Sequence, residues 1–343
     1  MSELAQLIEE SASRLFERFS DSDAALEMEA GGFPEQTWQE FVADGWLTTM
    51  LDEEKGGSGL GFSGGCLLMR LAGYHAVPLP VAESLLANYL ATEAGFKPND
   101  ELLVPAVLLQ TVQTKQVTLQ HVPWARHASA VVVVFSKNKQ THVSVIAREN
   151  LSVEYGQNMA GEPRDEVTFD ADLLRYSEIL EYISIEKLLS WLSLARASQI
   201  SGALQRVLER TVEFANERTQ FGRQIGKFQA VQQQIAVQAE MTYATVCAVD
   251  VAIEYLASPH EKDLIACAKI TAGEAAGYAA KTAHAVHAAI GFTQEYPLQL
   301  STRRLWSWRD EYGNEAQWAA KLGENCMDLE TDNLWQWLTT HTG

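Results

Sequence analysis

A block of β-branched residues set between two stretches of helical periodicity restricts this chain to a helix, sheet, helix organisation. Between Glu101 and Tyr182 run Gln116-Val117-Thr118-Leu119, Ala130-Val131-Val132-Val133-Val134-Phe135, His142-Val143-Ser144-Val145-Ile146 and Glu166-Val167-Thr168-Phe169, separated by polar turns such as Lys137-Asn138-Lys139. Runs of this length and composition form strands. The spacing predicts a small antiparallel β domain over residues 101–182. On either side a helical period returns, mostly apolar and mostly at three- and four-residue steps, with Leu7, Ile8, Leu15 and Phe19 before it and Leu188, Leu192, Ala195, Gln199, Leu204, Val207, Thr211 and Phe214 after it. That period belongs to helices packed by one face. An N-terminal helical domain over residues 1–100 and a C-terminal four-helix-type bundle over residues 183–343 complete a mostly α, α+β chain.

Charge narrows the partners. Lys and Arg number 26 against 45 Asp and Glu, a net charge of −19, which repels phosphate backbones and anionic lipid faces. Nucleic-acid binding is not expected, and no apolar run reaches the ~20 residues of a membrane span, so no membrane insertion is expected either. The four cysteines, Cys66, Cys247, Cys267 and Cys326, form no CxxC pair. His284 and His287 share a helical face without a third ligand, so no metal is expected and packing roles are favoured. The acidic, amphipathic N-terminus lacks the basic start and apolar core of a secretory signal, and a cytoplasmic location is expected.

Two glycine-containing segments invite a ligand reading. Gly56-Gly57-Ser58-Gly59-Leu60-Gly61 lacks the preceding strand of a dinucleotide fingerprint and the Gly-Lys-Ser/Thr ending of a P-loop, and is read as a turn between helices. The segment from Glu217 to Gln232, ERTQFGRQIGKFQAVQ, is different: it joins two helices through a short loop rich in cations and amides within an acidic chain. Arg218 could receive a diphosphate, Phe221 could lie against a flat ring, and Gln229 stands near a helix start where free N–H groups favour anions. An ordinary solvated corner is the other reading of these residues. Arg303, Arg304, Trp306, Trp308 and Arg309 allow two readings as well, a ligand contact or arginines lying over indoles. Trp318, Trp335 and Trp337 read as core or subunit-interface anchors.

The order Arg-Thr-Gln-Phe-Gly…Phe-Gln-Ala-Val-Gln resembles the C-terminal flavin-contacting signature of the acyl-CoA dehydrogenase family. Leu51…Gly56-Gly57-Ser58-Gly59-Leu60 followed by Pro78-Leu79-Pro80 is similar to that family's N-terminal domain, and Ala289-Ile290-Gly291-Phe292-Thr293-Gln294-Glu295-Tyr296-Pro297 to its late element ending in Glu-Tyr-Pro. The resemblance implies FAD as cofactor, straddling a subunit interface, with Arg218, Phe221 and Gln229 reaching its diphosphate and adenine half. It also implies α,β-desaturation of an acyl-CoA thioester: a carboxylate takes the Cα proton while hydride leaves Cβ for the flavin.

The base is where the chain departs from the family. Counting on from Pro297 at the family spacing lands on Tyr312 where the glutamate should stand, within Asp310-Glu311-Tyr312-Gly313-Asn314. Glu311 and Asp310 are the nearest candidates, and solvent-facing acids are the alternative reading. The second base position known in the family, on the first long C-terminal helix, falls on Leu192, between Trp191 and Ser193. The family's flavin-covering Thr-Glu-Pro and Trp-Ile-Thr patterns are not found; Gly161-Glu162-Pro163-Arg164-Asp165 is the nearest run. The Gly-Gly of its Gln-x-x-Gly-Gly run reads Ala288-Ala289. These departures resemble the shorter subunit of the heterotetrameric, steroid side-chain type. The expected role is one subunit of an α₂β₂ enzyme that passes electrons to an electron-transfer flavoprotein, its base brought by a second, more complete subunit. A self-sufficient homo-oligomer using Glu311 or Asp310, and a non-catalytic scaffold, are the other readings.

Overall fold

The computed structural model describes residues 3–19, 30–98 and 100–327, and the chain divides into two compact units, residues 1–71 with 77–188 and residues 72–76 with 189–343. Trp335 and Trp337 lie outside the described residues.

Among the described residues of the first unit the helices before the strands are α1 (Glu3–Glu17), α2 (Glu35–Ala43), α3 (Gly61–Tyr74, whose last residues belong to the second unit) and α4 (Val81–Glu93). The three- and four-residue spacing of Ile8, Ala12, Leu15 and Phe16 gives α1 one buried face. Phe16 and Trp38 each stack on Phe41, and Trp46 meets Phe41 edge-on at 5.4 Å. Pro78 and Pro80 stop the chain and Val81 restarts it as a helix. Gly56, Gly59 and Gly61, all at positive φ, form the turn leading into α3, as expected from the sequence.

The strands form two sheets, with order β1-β3-β4-β7 and β2-β6-β5. β1 spans Leu103–Leu108, β2 Gln116–Pro123, β3 Ala130–Lys137, β4 Gln140–Ala147, β5 Ser152–Glu154, β6 Arg164–Asp170 and β7 Glu178–Ile179. The Val131–Val134 run does not alternate because β3 is central and buried on both faces. All pairings are antiparallel as anticipated except one: β1 runs parallel to β3, because the chain crosses to the second sheet as β2 before returning. β2 carries a register shift between Leu119 and Val122, around His121 at φ 57°. Asp165, fully buried, accepts Nε of Arg126 at 3.0 Å and its Nη2 at 2.6 Å, and the backbone N–H of Arg126 and Gly156. It is therefore a structural anion that ties the β2 end to the loop before β6.

The second unit is the helical bundle: α5 (Ile185–Glu217, begun in the first unit), α6 (Gln229–Glu254), α7 (Glu261–His287), α8 (Leu298–Asp310) and α9 (Glu315–Met327). The Ala-rich α7 is its centre, with α6, α8 and α9 packed on it. Its buried small residues, among them Ala268, Ala272, Ala275, Ala276 and Ala279, let three neighbours approach at once. Trp318 is buried, as expected of an anchor. The arginine and tryptophan stretch is split by the helix period. Arg304 and Trp308 are buried, whereas Trp306 is part-exposed beneath the Arg309 guanidinium at 5.3 Å.

Candidate active site

The Arg218–Gln229 corner is a strand hairpin between α5 and α6. Thr219–Gln220 (β8) pairs with Arg223–Gln224 (β9), and Phe221 and Gly222 turn the chain with φ of 51° and 77°, the two positive values a tight two-residue hairpin turn requires. The turn leaves Phe221 91% exposed at the tip, a large apolar ring with little packed against it. The Arg223 guanidinium lies 4.1 Å over the Phe228 ring, which fixes the far side of the loop. Arg218 and Gln229 are also exposed, and Gln229 opens α6 with no side-chain cap on the helix N-terminus. The three residues anticipated from the sequence thus share one exposed corner. A guanidinium, an aromatic face, an amide and an uncapped helix start suit a flat, anionic dinucleotide.

The base loop lies at the α8–α9 junction of the same bundle, and here the structure adds residues that the motifs did not flag. Asp310 is exposed. Glu311 accepts Nε of Arg196 at 2.6 Å, and the Arg196 side chain is only 2% exposed. The guanidinium also donates to Oε1 of Gln199 at 2.5 Å and lies 5.6 Å from the Tyr312 ring centre. Ser193 donates to the Tyr312 carbonyl at 2.8 Å, and Trp318 Nε1 to the same oxygen at 3.1 Å. The turn of α5 that begins at Leu192 therefore meets the loop at Tyr312, so the two positions where the resemblance would place a base lie together. A buried arginine with its own counter-ion stands there.

Lys269, fully buried on α7, donates to the carbonyls of Trp308 at 3.1 Å and Arg309 at 2.6 Å, capping α8 with charge. Burial pushes its ammonium down to about 8, opposed by the nearby Glu311 carboxylate. Between about pH 8 and the ordinary lysine value the unfolded chain holds the extra proton, so this group makes stability rise with pH across that window. At about 1.4 kcal/mol per pH unit the gain is of order 3 kcal/mol. Urea unfolding at pH 7.5 and 10 should show the rise in the parent chain and its loss in Lys269→Met.

Both Arg196 and Lys269 had a readable signal. Arg196 continues the 188, 192 spacing of the buried α5 stripe, and Lys269 interrupts an apolar α7 run. His284 meets Thr302 at 2.9 Å and stacks on Phe292, while His287 meets the Ala283 carbonyl and stacks on Phe214, so both rings pack within the bundle. Ala288, on the family's first glycine, takes φ 53° and ψ −137°, a conformation that suits glycine. Ala288→Gly should stabilise the chain by about 1 kcal/mol in thermal unfolding, since strain relief exceeds the entropy added to the unfolded state.

A long-helix bundle following a reduced two-sheet module and an N-terminal helical set is the architecture of a flavin-dependent acyl-CoA oxidoreductase. The family model described as "Acyl-CoA dehydrogenase, N-terminal domain" matches residues 2–95, and "Acyl-CoA dehydrogenase, C-terminal domain" matches residues 183–309, more than half of the chain between them. The chain belongs to the acyl-CoA dehydrogenase family. It is 25% identical over 277 residues to the acyl-CoA dehydrogenase IpdE2 of Mycobacterium tuberculosis, covering 80% of this chain and 81% of that one. The solved ChsE4-ChsE5 complex of Mycobacterium tuberculosis shares the fold at TM-score 0.82 and 19% identity, covering 96% of this chain and 99% of that one. The Tcur3481-Tcur3483 steroid ACAD variant does so at 0.83 and 21%, covering 94% and 97%.

FAD is the cofactor. Arg218, Gln229 and the uncapped α6 start offer donors of the kind a diphosphate accepts, beside the exposed ring of Phe221. The β module shows a different chemistry. Its Trp124 is 2% exposed and packs edge-on to Phe33 at 6.1 Å, and Asp165 of the Gly-Glu-Pro-Arg-Asp run is spent on Arg126.

Proposed function

We propose that this chain is the flavin-contacting, base-deficient subunit of a heteromeric acyl-CoA dehydrogenase, paired as α₂β₂ with a more complete relative. The observation that carries the reading is the Arg196–Glu311 ion pair at the place where the base belongs. A carboxylate held by a buried guanidinium is stabilised as the anion and is a poor proton acceptor. The same bundle exposes Arg218, Phe221 and Gln229 on a corner suited to a cofactor shared with another polypeptide. Bound FAD supplies the hydride acceptor. This chain's residues hold the diphosphate and close the loop around Tyr312, and the partner brings the carboxylate that removes the Cα proton. The relatives named as dehydrogenases, and the neighbour described as a steroid ACAD, support a steroid CoA ester as substrate; the proposal extends this to the side chain, to an electron-transfer flavoprotein as electron acceptor and to a cytoplasmic site of action.

Expression alone and together with a candidate partner subunit tests this. The chain alone is expected to purify colourless, and the co-expressed complex yellow and able to reduce a dye with acyl-CoA. A yellow, active chain purified alone would instead establish a self-sufficient enzyme, and lack of flavin in every combination a scaffold.

A further inference from the structure

At the C-terminal ends of β1 and β3 the first unit holds a cavity of about 500 Å³, within the roughly 300–1,000 Å³ range of small-molecule pockets. Its floor is apolar. Leu108 and Phe135 stand opposite one another across the β1–β3 pairing, and Leu174 reaches it from the short 3₁₀ helix Ala171–Tyr176. Val112, on the loop after β1, lines it while 38% exposed, an apolar side chain facing water in part.

The rim is cationic. Lys137 ends β3 and is held by its pairing with Gln140 across a two-residue turn, Asn138 and Lys139, at φ 53° and 66°. Arg175 is the second cation. Its 2.8 Å pair with Asp172 joins side chains 76% and 60% exposed, a contact too weak to withhold the guanidinium from a ligand. Among the described residues no acid lines the cavity, although the chain carries 45 acids against 26 basic residues.

We propose that this cavity binds a small amphipathic carboxylate, with its hydrocarbon body on Leu108, Phe135 and Leu174 and its head group between Lys137 and Arg175. A guanidinium fork matches a carboxylate in plane, and the apolar floor rewards a hydrocarbon tail where a bare anion would gain nothing. Among the described residues no glycine lines the cavity, so there is no glycine loop to cradle a nucleotide's phosphates. This inference does not rest on the heteromeric reading.

Calorimetric titration of decanoate into the full chain tests it. Decanoate is expected to bind, and decan-1-ol at least tenfold more weakly. Lys137→Glu combined with Arg175→Glu should lower decanoate affinity at least tenfold with an unchanged thermal melt, because both side chains are exposed. Val112→Asp, a second variant on an exposed position, should weaken it as well. Absent binding, equal binding of the alcohol, unchanged affinity in these variants, or displacement of decanoate by free CoA would each overturn the proposal.

Discussion

Arg196→Met is expected to lower the free energy of unfolding by about 3 kcal/mol. The variant leaves Glu311, 19% exposed, without the guanidinium that neutralises it, and leaves Gln199 without the partner at 2.5 Å. Methionine fills most of the volume, so the loss comes chiefly from electrostatics and hydrogen bonding. Glu311→Gln is expected to cost less, since the amide keeps the shape and can still accept from Arg196. The double variant should then lose less than the sum, with a coupling of order 1–3 kcal/mol. Urea unfolding with unchanged m values reads all three. A loss under about 1 kcal/mol for Arg196→Met would mean that the pair does not hold the loop. The same Glu311→Gln chain in the assembled enzyme is expected to retain full turnover, because the partner brings the base. Abolished turnover with the complex intact would return the base to this chain.

The second large effect concerns the exposed corner. Arg218→Ala in the assembled enzyme should weaken FAD binding by roughly 10- to 100-fold, the equivalent of about 1.5–3 kcal/mol for a charged hydrogen bond to an anion. Arg218→Lys should recover part of it, since the point charge returns without the planar fork. Flavin fluorescence during titration of the apo-complex measures both. Folding stability should stay within about 0.5 kcal/mol, because the side chain is exposed. Unchanged FAD affinity in Arg218→Ala would remove the corner from the cofactor site.

Much of the architecture was legible because its signals are local. Pro78 and Pro80 punctuate the chain within a few residues of the helix they start. The Val131–Val134 run is long enough to mark a strand by itself. Leu188 and Leu192 lie on one face of a single helix, and Arg218, Phe221 and Gln229 lie within a stretch short enough that their proximity follows from chain connectivity. β1 was harder to read, since Leu103–Leu108 contains Pro105 and its parallel partner β3 lies across another strand in sequence. The fate of Glu311 was illegible for the same reason at larger scale: its partner Arg196 is 115 residues away.

Sequence alone determined the helix, sheet, helix order, the family and the exposed Arg218–Gln229 corner, since each is written in periodicity or in neighbouring residues that meet without help from the rest of the chain. Tertiary structure decided what Glu311 meets, what neutralises it, and which strand ends enclose the cationic cavity. Those outcomes depend on which distant segments pack together, and a charge acquires its role only from the counter-charge and the burial that packing provides.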